Sequence, residues 1–235
     1  MMYRALIPNM LTSSNLVFGF CSILSTHNGD LFWGSIFILL ALVADGLDGR
    51  SARFFGVSSE MGKEMDSLCD LVSFGVAPGF LAYNFCLHAF SWFGWVVAIS
   101  FAVCGMLRLA RFNVNADVVH GYFMGLAIPA GGCFVATSTL LLKGIGFDPL
   151  LLGWVYPIVM FIVGLMMYST VHYPDFKGKG EKVYLATKII SALIFALILF
   201  VGREAIVFAV LFGIFCTYTL LGIINSTIAA VSGSK

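Results

Sequence analysis

Ionisable side chains are scarce in this chain. Asp, Glu, Lys and Arg make up 11% of its 235 residues and hydrophobic side chains 60%, whereas a soluble domain carries roughly 25% charge. That balance excludes an ordinary water-soluble class. No basic cluster interleaves with exposed aromatics, so nucleic acid is excluded as a partner. The six cysteines (Cys21, Cys69, Cys86, Cys104, Cys133, Cys216) stand singly. Their spacing fits neither zinc ligands nor a disulfide framework, and they read as small buried residues. Arg4 is the one basic residue before the first apolar stretch, and no small-residue cleavage site follows that stretch. A removed signal peptide is therefore not expected. With no long linker and no internal repeat, residues 1–235 read as one domain, with residues 1–10 as an interfacial N-terminal segment.

Long apolar runs are abundant instead, each near the roughly 20 residues that cross a bilayer as a helix. The pattern predicts an all-α integral membrane protein with about eight transmembrane helices. They are placed near Leu11–Thr26, Leu31–Phe55, Met61–Leu87, Trp92–Arg111, Leu126–Leu142, Leu150–His172, Val183–Val201 and Glu204–Ala229. With eight spans, one set of loops collects Arg4, Arg50, Arg53, Lys63, Arg108, Arg111, Lys177, Lys179, Lys182, Lys188 and Lys235, and the other only Lys143 and Arg203. Such an excess marks the cytosolic side. Both termini and the Arg53–Lys63 turn are thus expected in the cytosol, in a multi-pass protein of the cytoplasmic (inner) membrane. The tryptophans Trp33, Trp92, Trp95 and Trp154 fit an aromatic belt, and the basic turn Lys177–Lys182 reads as an orientation signal.

Against this background, six of the twelve acidic residues fall between Asp45 and Asp70. An ionised group at membrane depth costs roughly 2.5–3.5 kcal/mol on insertion scales. Four aspartates therefore represent on the order of 10 kcal/mol, which bound cations would offset. Asp45 and Asp48 are three apart and Asp66 and Asp70 four apart, so each pair projects from one helix face. A turn at Phe54–Glu60, bent at Gly56 and capped by Ser58 or Ser59, sets the two faces against each other. Oxygen-only ligands suit Mg²⁺ or Mn²⁺, and four carboxylates suffice for two ions that clamp a phosphoryl group. Gly49 and Ala52 remove bulk where a nucleotide would approach the backbone. Gly62 could do the same on the second helix, and the fork of Arg53 suits a phosphate oxygen. A salt-bridge network anchoring a tight hairpin is the bland alternative, but it needs neither the ordered glycines nor four carboxylates. The residues alone do not choose a general base among the four aspartates.

The run Asp45-x2-Asp48-Gly49-x2-Ala52-Arg53-x8-Gly62-x3-Asp66-x3-Asp70 resembles the signature of the CDP-alcohol phosphotransferase family. Three further stretches resemble its integral-membrane branch that acts on CDP-diacylglycerol and L-serine. They are Ile7-Pro-Asn-Met-Leu-Thr12-Ser-Ser-Asn15, Asp66-Ser-Leu-Cys-Asp-Leu-Val-Ser-Phe-Gly-Val-Ala-Pro78 and Arg108-Leu-Ala-Arg111-Phe-Asn113. One departure is Ala127, where the family pattern has a second proline before Pro129. The resemblance implies transfer of the phosphatidyl group from CDP-diacylglycerol to L-serine with release of CMP, two divalent ions (Mg²⁺ or Mn²⁺) and a homodimer. It makes Asp45, Asp48 and Asp66 metal ligands, with Asp70 touching the second ion and acting as general base. Gly49, Ala52, Arg53, Ser59 and Gly62 would contact the CDP-lipid, with Pro8, Asn9 and Thr12 closing over it.

Arg108 and Arg111 are expected at the cytosolic end of the fourth span, where a guanidinium suits the serine carboxylate and Asn113 its ammonium. Alternatively, both arginines only anchor the helix end. Ser67 and Ser73 are candidates for the same pocket, or packing polar groups. Glu60, Glu64 and the four histidines receive no role. Two other functions are open: the same chemistry with glycerol 3-phosphate or inositol phosphate as acceptor, and a divalent-cation transporter. The latter would need acids at mid-helix depth.

Overall fold

The computed structural model describes residues 2–57, 59–115, 122–174 and 183–231. Ser58, His120, the basic turn Lys177–Lys182 and Lys235 lie outside them, as does the side chain of Arg4. The fold is almost entirely helical. In chain order come α1 (Met2–His27), α2 (Leu31–Phe55), α3 (Glu60–Asp70), a π-helical segment (Leu71–Val76), α4 (Ala77–Phe85) and α5 (Ser91–Asn115). Then follow β1 (Tyr122–Met124), α6 (Ile128–Gly144), α7 (Val155–Tyr168), β2 (His172–Pro174), α8 (Leu185–Val201) and α9 (Ile206–Val231). Among the described residues, five stretches are long and apolar enough to cross a membrane: Ile7–His27, Leu31–Phe55, Glu60–Phe85, Leu87–Val114 and Arg203–Ile228. Val155–Tyr168 and Leu185–Val201 are shorter apolar helices.

Local chemistry sets the boundaries. Asp30 caps α2 by accepting from the Trp33 amide at 3.1 Å. Gly56 ends that helix in the left-handed region at φ 63°, a conformation a glycine reaches without steric cost. Ser59 then starts α3, its hydroxyl accepting from the Gly62 amide at 3.0 Å. Gly56 closing α2 and Ser59 opening α3 thus make the turn between the two helices, as the sequence predicts.

Three boundaries differ from expectation. The first helix begins at Met2 rather than Leu11, so it takes in the expected interfacial segment, with Pro8 inside it. A proline removes one backbone donor, and here the helix tolerates that loss. Pro129, expected within a span, instead stands in the first turn of α6, where its missing donor would be unpaired anyway. The sixth predicted span, Leu150–His172, contracts to α7. A 3₁₀ turn at Pro149–Leu152 precedes it, and its far end gives way to β2, paired antiparallel with β1.

The core gathers around the π-helical segment. Helix α6 is its central element, with every residue from Ala130 to Leu141 buried. Gly19 of α1 and Gly132 of α6 let those helices close onto the segment backbone to backbone. A Cβ on Gly19 would stand 2.8 Å from the Ser73 Cα, and one on Gly132 2.9 Å from the Phe74 Cα. Such small-residue contacts are how membrane helices approach closely. Large apolar side chains such as Trp92, Leu193 and Phe200 cover the outside, a surface suited to lipid rather than water.

Candidate active site

The acids converge where α1, α2 and α3 meet. Asp45, Asp48 and Asp66 each place one carboxylate oxygen within 4.8 Å of the others. Asp48 is buried and the other two half-buried. The carboxylates of Asp45 and Asp66 come within hydrogen-bonding reach of each other. Like charges gathered this closely repel, and Asp66 Oδ1 is buried without a hydrogen-bond partner. An all-oxygen donor set with an unpartnered buried oxygen fits a hard divalent cation.

Asp70 is not one of these three, but it lies within Coulombic range of Asp45 and Asp66. It lies one turn beyond Asp66, 7% exposed, and its Oδ1 accepts from Asn15 Nδ2 at 2.9 Å. Helix α1 reaches both acid pairs, since the Thr12 hydroxyl donates to Asp48 Oδ2 at 2.7 Å. The Pro8 carbonyl, 3.1 Å from the same hydroxyl, is its alternative acceptor. Thr12 and Asn15 are three residues apart and share a helix face. Thr12, expected to touch the CDP-lipid, is hydrogen-bonded to an acid of the trio. Sequence patterns give Asn15 no role; the available signal is a carboxamide at the start of an apolar run, three residues after Thr12.

Among the expected CDP-lipid contacts, Pro8 is buried, whereas Asn9 and Arg53 are exposed. Ser59 is engaged as the α3 cap, and a Cβ on Gly62 would stand 3.1 Å from its hydroxyl. Gly49 faces open space: a Cβ there would meet only Arg53 Nη1, at 3.9 Å. Ala52, half-buried, lies one turn further on the same helix. One turn before Asp45, Leu42 enters an apolar cavity of about 490 Å³, shared with Ala127, Phe195, Phe215, Tyr218 and Leu221.

The residues expected around the acceptor separate. Arg108 is 8% exposed and within Coulombic range of Asp70 and Asp45. Its Nε has no hydrogen-bond partner, and its guanidinium carbon lies 5.3 Å from the centroid of Phe112. Arg111 turns away. Its guanidinium donates to the carbonyls of Tyr168 (2.8 Å), Ser169 (2.8 Å), Met124 (3.1 Å) and Met167 (3.5 Å). Its geometry is that of a clamp on the end of α7 and the approach to α6. Asn113 Nδ2 donates to the Ser67 hydroxyl at 3.0 Å, tying α5 to α3 beside Asp66. The Ser73 hydroxyl donates to the Asn15 carbonyl at 2.8 Å. Tyr218 of α9 lies within Coulombic range of Arg108, a neighbour that no sequence pattern announces.

Comparison with known proteins gives the chain its family. Residues 5–171 match the model of the CDP-alcohol phosphatidyltransferase family. A CDP-diacylglycerol–serine O-phosphatidyltransferase of Helicobacter pylori (strain J99) is 34% identical over 222 residues, covering 92% of this chain and 90% of the relative. Its counterpart in Bacillus subtilis is 36% identical over 172 residues, 73% of this chain and 91% of the relative. An archaetidylserine synthase of Methanothermobacter thermautotrophicus is 36% identical over 176 residues, 74% and 72% of the two chains. All six positions Asp45, Asp48, Arg53, Asp66, Asp70 and Asn15 lie inside the matched region, and the chain belongs to the CDP-alcohol phosphatidyltransferase family.

Proposed function

We propose that this protein transfers the phosphatidyl group of CDP-diacylglycerol to L-serine, releasing CMP and leaving phosphatidylserine in the membrane. The observation that carries the reading is the convergence of Asp45, Asp48 and Asp66 to within 4.8 Å on the helices bearing the full motif. The names of the Helicobacter and Bacillus relatives support serine as acceptor.

Asp45, Asp48 and Asp66 would hold divalent metal, Mg²⁺ or Mn²⁺, with Asp70 on the side of a second ion. Bound there, divalent ions supply Lewis-acid polarisation of the phosphoryl oxygens. The chain's own groups do the rest. Gly49 and Ala52 leave the face of α2 open to the nucleotide, and Arg53 at the helix end holds a phosphate oxygen. An acyl chain lies in the apolar cavity at Leu42. Arg108 receives the serine carboxylate, with Asn113 and Ser67 beside it, while Arg111 keeps α7 in place. Asp70 takes the proton as the serine O–H bond breaks. The serine oxygen bonds to the β-phosphorus, and the phosphorus–oxygen bond to CMP breaks, with the electron pair leaving on CMP.

This reading sets the site at the cytosolic face of the inner membrane, where a water-soluble nucleotide and lipid tails can both be reached. Exposed Arg50, Arg53 and Lys63 around the α2–α3 turn support that side; the reading includes eight spans and both termini in the cytosol. The chain works as one domain and pairs as a homodimer.

The test is CMP release by purified protein with CDP-diacylglycerol, Mn²⁺ or Mg²⁺, and serine, glycerol 3-phosphate or inositol phosphate supplied separately. Release with serine alone supports the reading. Release only with a phosphorylated acceptor would transfer the chemistry to that acceptor.

A further inference from the structure

We infer that Asn15 is a positioning residue for the transfer: its side-chain amide ties Asp70 Oδ1 to α1 and leaves the other carboxylate oxygen for the acceptor hydroxyl, outside the Asp45–Asp48–Asp66 cluster. The inference rests on Asp70 being the proton acceptor.

Three observations carry it. Asn15 is fully buried, and Nδ2 is the amide atom that must face a carboxylate, because the amide oxygen would repel it. The register of Asn15 is fixed independently of Asp70. Its carbonyl accepts from Ser73 at 2.8 Å, and one turn along α1 Gly19 packs against the backbone of Ser73. Both Asp70 and Ser73 flank the start of the π-helical segment at Leu71, a helix irregularity that recurs at functional sites. Asn15 is thus held by backbone contacts and presents its amide to Asp70 from a rigid helix.

A purely structural clasp would not be built this way. Asn15 Oδ1 is buried with no partner, so the pair leaves a polar group unsatisfied between helices that an apolar pair would join without that cost. The polar pair makes physical sense if the orientation of the carboxylate is what it provides. Arg108 of α5, like Asp45 and Asp66, lies within Coulombic range of Asp70, while Asn15 of α1 is its hydrogen-bond partner. In the transfer, the acceptor O–H bond breaks and its proton passes to the free oxygen of Asp70. The acceptor oxygen bonds phosphorus as the bond to CMP breaks and CMP departs with the electron pair. Losing the tether would let the carboxylate rotate, slowing this step without altering how either substrate binds.

The experiment compares Asn15→Leu with the parent protein in detergent, measuring kcat, KM for serine and CDP-diacylglycerol, and the thermal shift produced by CDP-diacylglycerol. The expected result is a kcat lowered about 10- to 100-fold, the range for lost outer partners of site residues, with both KM values and the thermal shift kept within about twofold. Should Asn15→Leu fail to fold, Asn15→Ser, smaller and with a shorter donor, is expected to lower kcat at least about fivefold with the same unchanged KM. A folded variant with kcat within about twofold of the parent overturns the inference, as does a kcat loss that comes only with matching rises in KM. Asp70→Asn, assayed in parallel, separates the two claims. An active Asp70→Asn sinks the proton-acceptor role itself, whereas an inactive Asp70→Asn beside a fully active Asn15→Leu sinks only the tether.

Discussion

Thr12 and Asp48, 36 residues apart in sequence, are joined by a 2.7 Å hydrogen bond from the α1 hydroxyl to the α2 carboxylate. Both are buried, so water cannot replace that donor. Thr12→Val keeps the shape and removes the hydroxyl, leaving a carboxylate oxygen short of a partner at a cost of about 1–3 kcal/mol. The expected outcome is a weaker metal site, with the Mn²⁺ concentration for half-maximal activity raised about 10-fold. Titrating activity with Mn²⁺ checks it, and an unchanged midpoint would show that Thr12 does not orient Asp48.

Mutual repulsion among Asp45, Asp48 and Asp66 gives a prediction with opposite signs for stability and activity. Asp66→Asn removes one charge from the trio and gives the amide an N–H to donate to a neighbouring carboxylate. With metal chelated, the variant should unfold at a temperature equal to or above that of the parent. Adding Mn²⁺ should stabilise the parent but not the variant, whose turnover should fall by at least about 100-fold. Thermal denaturation with and without chelator reads both. A parent insensitive to Mn²⁺ would argue against a metal at this trio.

Arg111 and Arg108 should separate by phenotype. Arg111→Lys replaces a planar fork by a single ammonium that cannot serve four carbonyls. Left partly unpaired, those carbonyls cost about 1–3 kcal/mol, seen as a lowered unfolding temperature with KM for serine nearly unchanged. Arg108→Gln should instead raise KM for serine about 10-fold or more, the effect of losing a charge-assisted pair. Steady-state kinetics beside thermal denaturation distinguishes the two, and a shared phenotype would count against the division.

Two glycines should also part company. A Cβ at Gly132 would press on the Phe74 backbone at 2.9 Å, and neither backbone can yield easily. Gly132→Ala should cost about 1–3 kcal/mol of stability through overpacking. Gly49→Ala meets nothing closer than Arg53 Nη1 at 3.9 Å, so it should fold normally. Its effect is expected on KM for CDP-diacylglycerol, which should rise because the open face of α2 is where the nucleotide approaches. A normal KM in a folded Gly49→Ala would move the nucleotide elsewhere.

Much of the scaffold was readable because its signals are local. Leu31–Phe55 was placed to the residue, since Asp30 and Gly56 are cap residues whose preferences act within one turn. Spacing within a helix likewise put Asp45 with Asp48 and Asp66 with Asp70. Proline positions were less legible: Pro129, expected within a span, opens α6, and Pro8 lies inside α1 without ending it. Proline constrains one dihedral and one donor, so its effect depends on which turn it occupies.

By itself, then, the sequence determined an all-helical, lipid-suited chain, the acidic motif and the reversing turn at Gly56, because hydrophobicity, caps and helical period are properties of neighbouring residues. Only the tertiary structure decided that Asp70 is not one of the three carboxylates within 4.8 Å, that Thr12 bonds Asp48 and Asn15 bonds Asp70, and that Arg111 is taken by backbone carbonyls while Arg108 is not. Those assignments depend on distances between helices 36 to 58 residues apart in the chain. Such distances follow from where glycines such as Gly19 and Gly132 let helices close together, and no pattern within one helix encodes them.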